Sequence, residues 1–179
     1  LARAADYVRA FPDQVALLLS VELCSLTLQK EDLSIPNLIA SGLFGDGAAA
    51  VVVLGAERAE ARRAAGVALG PEIVATRSIF YPDSERVMGW DIRSSGFQIV
   101  LSAEVPEVVE RFLRADVDTF LAERGLTRGE IRSWVCHPGG PKVLEAMESA
   151  LELRAGELEL TWKSLAEIGN LSSTSVLLV

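Results

Sequence analysis

Histidine and cysteine are scarce in this chain. Among its 179 residues there is one histidine, His137, and there are two cysteines, Cys24 and Cys136. One histidine and two widely separated cysteines lack the ligand spacing of a zinc site. Two cysteines are also too few for the disulfide framework of a secreted domain, so a reducing, cytoplasmic location is expected.

Long apolar runs and clustered positive charge are absent as well. The longest apolar runs, Val15–Val21 and Ala48–Leu54, are far shorter than the roughly 20 residues that a transmembrane helix needs. No basic segment followed by an apolar core marks a signal peptide. The net charge is −8, with lysine and arginine scattered along the chain. The sequence therefore predicts no membrane span and no nucleic-acid surface, which requires a basic stripe.

A glycine-containing turn precedes the second apolar run, but it lacks the features of a nucleotide-binding loop. Phe44-Gly45-Asp46-Gly47 leads directly into Ala48–Leu54. A P-loop would continue with Gly-Lys-Ser/Thr, and in a dinucleotide fingerprint the glycines open a helix, whereas here they precede a predicted strand. The turn is therefore interpreted as structural, with small residues that allow another layer to pack closely.

The single histidine lies in the segment Cys136-His137-Pro138-Gly139-Gly140-Pro141-Lys142. Ile131–Val135 has the composition of a short buried strand, and apolar residues from Val143 to Leu151 repeat at helical spacing. Strand-to-helix turns open at the sheet edge where ligands bind, and glycines followed by proline suit a tight turn into a helix. The helix start favours an anion or a developing oxyanion. A half-buried structural histidine fits the same pattern.

Periodicity and turn residues predict an alternation of helices and strands. The run Val15–Val21 is typical of a parallel strand covered on both faces. If the chain stays extended beyond it, Glu22 and Cys24 share one face. The predicted elements are a helix over 1–11, a strand over 15–21, a helix over 38–43, a strand over 48–54, a solvated charged segment over 57–65, a strand over 66–81, a loop over 82–96, a strand over 97–101, a helix over 104–125, and the strand and helix that flank His137.

Three motifs, in the same order, resemble those of the type III polyketide synthases, the chalcone synthase relatives of the thiolase fold. They are Leu43-Phe44-Gly45-Asp46-Gly47-Ala48-Ala49, His137-Pro138-Gly139-Gly140-Pro141 and Gly169-Asn170-Leu171-Ser172-Ser173. The resemblance covers essentially the whole chain and is closer to bacterial members. It implies a partial thiolase-like α/β fold, layered α-β-α-β-α. Residues 1–88 would be the end of the amino-terminal half and residues 89–179 most of the carboxyl-terminal half.

The resemblance implies two catalytic residues, His137 and Asn170. In that family a cysteine thiolate carries the growing acyl chain, while a histidine and an asparagine assist the decarboxylation of malonyl-CoA and stabilise the enolate. The physical sense is that decarboxylation leaves negative charge on a thioester oxygen. A fixed hydrogen-bond donor to such an oxyanion contributes roughly 3–4 kcal/mol in comparable sites.

The same resemblance implies a set of substrate-binding residues. Phe44 is the expected gate between a coenzyme A tunnel and the cavity. The other residues expected to line the cavity are Glu22, Cys24, Thr27, Gly89, Phe97, Ile99 and Ser172. The implied substrates are an acyl-CoA and malonyl-CoA, the implied assembly is a homodimer, and no cofactor or metal is implied.

The nucleophilic cysteine of the family is expected outside this sequence, about two helical turns before Leu1. Cys136 directly precedes His137, and neighbours on an extended strand point to opposite faces. A buried strand cysteine such as Cys24 is inert more often than reactive. Neither is assigned as the nucleophile. Most coenzyme A-binding basic residues, much of the dimer interface and a glycine-rich cyclisation loop are also expected outside residues 1–179.

The predicted function is therefore that of a type III polyketide synthase. Such an enzyme extends an acyl-CoA starter by repeated decarboxylative condensation with malonyl-CoA and then cyclises the product. The alternatives are a ketoacyl synthase III of fatty-acid synthesis, which shares the fold and the residue types, and a non-catalytic fragment that binds acyl-CoA or a partner. Without its nucleophile the chain is expected to be inactive alone.

Overall fold

The computed structural model describes all 179 residues and divides into two compact units. One unit comprises Leu1–Ser20 and Ala48–Ser78, and the other comprises Val21–Gly47 and Ile79–Val179. No helix combines the length and the apolar character needed to cross a membrane. The boundary between thiolase-like halves after residue 88 stays a prediction.

Helices and short strands alternate along the chain. The helices are α1 (Ala2–Ala10), α2 (Ile35–Leu43), α3 (Ala56–Ala64), α4 (Val105–Ala122), α5 (Pro141–Leu151), α6 (Glu159–Ile168) and α7 (Ser175–Leu178). The strands are β1 (Val15–Glu22), β2 (Gly47–Leu54), β3 (Met88–Arg93) and β4 (Gly96–Leu101). They form two two-stranded sheets, in which β1 pairs with β2 and β3 with β4. The predicted helices at 1–11, 38–43 and 104–125, and the predicted strands at 15–21, 48–54 and 97–101, are confirmed within a few residues.

The predicted strand over residues 66–81 is wrong, because these residues form no strand. Gly70 and Pro71 interrupt it, and proline has no N–H to donate to a ladder. The Arg9 guanidinium donates hydrogen bonds to the carbonyls of Ile73 and Val74, at 2.9 and 3.0 Å. A side chain from α1 thus satisfies carbonyls that a neighbouring strand would otherwise bind.

The segment before His137 was expected to be a strand over residues 131–135, and this is also wrong. The segment has no strand partner among residues 1–179. The amide of Cys136 donates instead to the side-chain hydroxyl of Thr161, at 3.4 Å. An apolar composition alone does not make a strand when no backbone lies beside it.

The predicted loop over 82–96 contains β3, which is a correction with a clear physical reason. Met88, Trp90 and Ile92 alternate with smaller or polar residues, the period of a strand with one apolar face. In the antiparallel hairpin Met88 pairs with Leu101, Trp90 with Ile99 and Ile92 with Phe97. The charged segment 57–65, expected to be solvated, is the exposed helix α3.

The second unit is built around the packing of α4 against α5. Leu121, Leu144, Leu151 and Leu158 are the large buried side chains of this core. The carboxyl end of α5 is capped by arginines: Arg114 donates to the carbonyl of Ala150 at 2.9 Å, and Arg128 donates to the carbonyl of Leu151. Cations at a helix carboxyl end satisfy the last carbonyls and favour the helix dipole. This core holds the helix that follows His137.

Candidate active site

His137 lies, half-buried, in the turn that leads into α5. The amide of Gly139 donates to the carbonyl of His137 at 2.8 Å, and the amides of Val143 and Leu144 donate to the carbonyl of Gly140 at 3.1 and 3.0 Å. Gly140 has a φ of 148°, a backbone conformation that residues other than glycine rarely adopt. Pro141 follows in the first helical turn, as predicted.

Asn170 is fully buried, and four hydrogen bonds fix it. Its backbone N–H donates to the carbonyl of Leu43 at 2.9 Å, and its own carbonyl accepts from Gly45 at 3.0 Å. Its side-chain Nδ2 donates to the carbonyl of Gly139 at 3.2 Å, and its Oδ1 accepts from the amide of Ser172 at 2.8 Å. The three sequence motifs therefore meet at one asparagine.

The backbone pairing between Phe44 and Asn170 forms an isolated parallel bridge, which we call the 44–170 bridge. It requires the neighbouring glycine, because a Cβ atom on Gly169 would lie 2.8 Å from the carbonyl oxygen of Leu43. Gly169 also has φ 75° and ψ −159°, a region that only glycine populates readily. The bridge places the backbone of Phe44 beside the backbone of the buried Asn170.

Burial controls the protonation of His137. It lowers the pKa of the imidazole from its ordinary value, because the charged form is poorly solvated there. A neutral imidazole carries one N–H donor and one acceptor nitrogen. The Asn170 amide has two N–H groups, of which the bond to Gly139 uses one. Two neutral side chains with N–H donors therefore occur at this turn, a combination compatible with stabilising a developing oxyanion.

Neither cysteine is activated as a nucleophile. Burial, followed by the carboxylates of Glu22 and Asp46, raises the pKa of the Cys24 thiol. Burial alone raises the pKa of the Cys136 thiol. Because the thiolate is the reactive form, both side chains are less reactive at neutral pH than an ordinary cysteine.

A cavity of about 730 Å³ adjoins the 44–170 bridge. It brings together most of the residues expected to bind substrate. They are Glu22, Cys24, Thr27, Phe44, Gly89, Ile99 and Ser172. His137 and Asn170 are not among the lining residues, but Asn170 bonds directly to Gly45 and Ser172, which are. The substrate-binding and catalytic roles of all these residues stay predictions.

Phe97 was expected in the cavity wall but does not line it. The hairpin register places it opposite Ile92, and its ring meets the Trp90 ring edge-on, with centroids 6.0 Å apart. Trp90 takes part in the wall instead. Phe97 shares the face of Ile99, but it lies nearer the hairpin tip, in the pair with Ile92, and neither residue of that pair reaches the cavity.

Several other lining residues were not expected from the sequence. They are Leu23, Ser25, Leu28, Asn37, Ala40, Ser41, Gly45, Asp46, Met88 and Trp90. Asp46 accepts from the amide and the hydroxyl of Ser25, at 2.7 and 2.6 Å, and these bonds lower the pKa of its carboxyl. The alternation of Met88, Trp90 and Ile92 was the available signal for the hairpin residues. The buried polar position of Asn37 in α2 had no comparable signal.

The cavity wall contains two carboxylates, Glu22 and Asp46, and no lysine, arginine or histidine. Glu22 accepts a hydrogen bond from the amide of Ser173 at 3.2 Å, which ties the end of β1 to the segment after Asn170. No three histidine, cysteine, aspartate or glutamate side chains converge as metal ligands would. The wall therefore offers no positively charged side chain to an anionic group.

Comparison with known proteins identifies the family. The sequence model of the family described as "Chalcone and stilbene synthases, C-terminal domain" matches residues 72–179, more than half of the chain. The chain belongs to the chalcone and stilbene synthase family. It is 54% identical over 179 residues to a 1,3,6,8-tetrahydroxynaphthalene synthase of Streptomyces peucetius subsp. caesius, covering 100% of this chain and 46% of that protein. The predicted family is thus confirmed, and the chain spans about half the length of the curated relatives it matches.

Solved structures of the family show the same fold. A 1,3,6,8-tetrahydroxynaphthalene synthase from Streptomyces coelicolor A3(2), a bacterial type III polyketide synthase, is 30% identical, with a TM-score of 0.85 over 98% of this chain and 47% of that one. PKS-I from the brown alga Ectocarpus siliculosus is 30% identical, with a TM-score of 0.82 over 98% of this chain and 45% of that one. The predicted thiolase-like fold is confirmed for the part that the chain spans.

Proposed function

We propose that the protein containing this chain is a type III polyketide synthase that extends an acyl-CoA starter with malonyl-CoA and cyclises the product. The observation that carries the proposal is the hydrogen bond from Asn170 Nδ2 to the carbonyl of Gly139, two residues after His137. It joins two motifs that lie far apart in the sequence, within residues that match the family. The tetrahydroxynaphthalene synthase names of the relatives support the same reaction class.

The proposed first step is the decarboxylation of malonyl-CoA. The bond between the carboxylate and the α-carbon breaks, carbon dioxide leaves, and the electron pair is delocalised onto the thioester oxygen as an enolate. His137 and Asn170 would each donate a hydrogen bond to that oxygen. Because burial lowers the His137 pKa, the imidazole is neutral near pH 7. The neutral ring still has one N–H to donate.

The enolate carbon would then attack an acyl group held as a thioester on a cysteine, which forms a carbon–carbon bond and releases the thiolate. Cys24 and Cys136 have raised pKa values, so we propose that this cysteine precedes Leu1 in the full protein. The cavity beside the 44–170 bridge would hold the growing chain, with Phe44 at its entrance. We further propose a homodimer in the cytoplasm, as the resemblance and the cysteine content predict.

Two alternatives were expected from the sequence. A ketoacyl synthase III is disfavoured, because the relatives and solved structures described above are polyketide synthases. A binding protein without catalysis is separated from an enzyme by the experiment that follows.

The proposal is tested by release of labelled carbon dioxide from malonyl-CoA by the full-length protein. His137→Ala and Asn170→Asp should each lower the decarboxylation rate by roughly 10²–10³-fold, the effect of removing one oxyanion donor. Asn170→Asp keeps the shape and the Oδ1 acceptor of Asn170, removes both N–H groups and adds a negative charge when the carboxyl is ionised.

Cys136→Ser is the matched control, since it changes the residue beside His137 without touching either donor, and its rate should stay near that of the unsubstituted protein. Thermal unfolding of each variant separates loss of chemistry from loss of fold. Unchanged decarboxylation in both donor variants would contradict the assignment. A full-length protein that binds acyl-CoA but releases no carbon dioxide would be a binding protein.

A further inference from the structure

One wall of the cavity is the hairpin formed by β3 and β4. Met88, Gly89, Trp90 and Ile99 line the cavity from this hairpin. Most of the opposite lining comes from the chain between Glu22 and Asp46. An isolated two-stranded hairpin is at best marginally stable in water, so its position depends on what holds it.

Gln29 binds the hairpin at its tip. Its side-chain Nε2 donates to the carbonyl of Phe97 at 3.0 Å and to the carbonyl of Ser95 at 3.3 Å. Ser95 precedes β4 directly, and Phe97 is its second residue. One amide group thus holds the tip at two backbone points.

A second pair binds the same strand. The side-chain Nε2 of Gln98 donates to Oδ2 of Asp32 at 2.9 Å. The other carboxylate oxygen of Asp32 accepts from the amide of Ser34 at 2.8 Å, at the start of α2. Asp32 therefore connects β4 to the helix that forms the far side of the cavity.

The loop that carries Gln29 and Asp32 is itself fixed by Asn37. Asn37 is only 7% exposed and lines the cavity from α2. Its Nδ2 donates to the carbonyls of Gln29 and Asp32, at 2.9 and 2.7 Å. One buried amide thus orders the backbone of both residues. Their side chains therefore lose little conformational entropy when they bind the hairpin.

We propose that Gln29, Asp32 and Gln98, here called the hairpin latch, set the distance between the hairpin and α2 and so limit the length of the acyl chain that the cavity accepts. The inference deepens the proposed function and rests on it. The latch residues are positioning residues, because they act through Met88, Trp90 and Ile99 and do not line the cavity themselves. When the latch is broken the wall moves outward more easily, and longer chains fit.

The test compares full-length Gln29→Ala and Gln98→Ala with the unsubstituted protein. Gln14→Ala is the matched control, because Gln14 is an exposed glutamine whose side chain bonds only the adjacent Asp13. Each protein is incubated with malonyl-CoA alone and with malonyl-CoA plus hexanoyl-CoA or palmitoyl-CoA, and the products are measured by mass spectrometry. Hydrogen exchange of residues 88–101 is measured in parallel.

In the latch variants, the ratio of long to short products should rise roughly tenfold, a change that the loss of one or two hydrogen bonds can produce. Exchange in the hairpin should quicken in the same variants and not in Gln14→Ala. A uniform fall in all products with an unchanged ratio would overturn the latch, because general destabilisation lowers every product equally. If Gln29→Ala fails to fold, Gln29→Glu keeps the side-chain shape while removing both N–H donors. The same product ratio and hairpin exchange rates are then measured on that variant and test the latch in the same way.

The two proposals fail in different ways. No polyketide from the unsubstituted protein would overturn the proposed function and this inference with it. Normal synthesis with the same product lengths and hairpin exchange in every variant would overturn only the latch.

Discussion

At the scale of single residues, Asn170 has a structural role in the site and, in the proposed mechanism, a chemical one as well. Asn170 uses its backbone to hold Leu43 and Gly45 and its side chain to hold Gly139 and Ser172. Nδ2 makes one hydrogen bond, to Gly139, and the proposed mechanism assigns its other N–H to the enolate oxygen. Any substitution that frees this amide to move also loosens the turn that carries His137. The contacts that hold Asn170 in place therefore also fix the direction of its side-chain N–H groups.

His137 should titrate below the ordinary histidine pKa of about 6.5, because burial disfavours the imidazolium form. The measurement is an NMR titration of the full-length protein labelled at histidine, with the His137 signal assigned by its loss in His137→Gln. The site should therefore stay in the neutral, N–H-donating form throughout the neutral range. A pKa at or above 6.5 would contradict the burial argument.

At the scale of structural elements, the 44–170 bridge depends on the glycine beside it. Gly169→Ala should destabilise the full-length protein by roughly 2–4 kcal/mol, because a strained backbone conformation adds to a direct clash with Leu43. Gly66→Ala is the matched control, since Gly66 has the same φ of 75° but no heavy atom within 4 Å of its Cβ position. It should cost only about 1 kcal/mol.

Urea unfolding of the two variants measures this difference, and malonyl-CoA decarboxylation measures its effect on the site. Gly169→Ala should also slow decarboxylation, because it displaces Asn170, whereas Gly66→Ala should not. Equal costs for the two substitutions would mean that the close approach of Leu43 is relieved without loss.

The elements that the sequence predicted are those whose signal is local. The apolar spacing of α4, the proline at the start of α5 and the valines of β2 each specify an element without reference to the rest of the chain. The strands predicted at 66–81 and 131–135 failed because an apolar composition does not reveal whether a partner strand lies alongside.

The candidate site divides in the same way. Motif resemblance predicts that His137, Asn170 and Phe44 lie together. The structure pairs the backbones of Phe44 and Asn170 and bonds the Asn170 side chain to Gly139, two residues after His137. The resemblance predicted Phe97 in the wall and did not predict Trp90, because how far along the hairpin the cavity extends depends on the pairing of two strands, which no single segment specifies. The Asn37 contacts beneath the hairpin latch depend on loop geometry, which the sequence does not encode in a short pattern.

At the scale of the whole molecule, stability should depend on pH, because folding shifts the pKa values of several side chains. Asp46, bound by Ser25, and Asp91, bound by Arg86, have lowered carboxyl pKa values. A carboxyl with a lowered folded-state pKa stabilises the protein above its unfolded pKa and loses this contribution as pH falls through the folded value. His137 acts in the same direction, because below about pH 6.5 the unfolded chain takes up a proton that the folded site resists.

Stability should therefore fall as the pH drops below about 6.5, first through His137 and then, below about pH 4, through the two carboxyls. The urea midpoint of the full-length protein, measured across this range, checks the prediction. His137→Gln should flatten the upper part of the curve and Asp46→Asn the lower part. A midpoint that rises on acidification would contradict both contributions.

The 44–170 bridge also has a consequence for how the chain acquires its structure. Closing a loop between residues 44 and 170 costs more chain entropy than any helix-to-helix contact within it, and contacts of long sequence separation form slowly. The packing of α4 on α5 can precede the bridge, whereas Asn170 reaches Gly45 only when the chain ends of that loop have met. We therefore expect the asparagine site to form late in folding, after the helical core of α4 and α5.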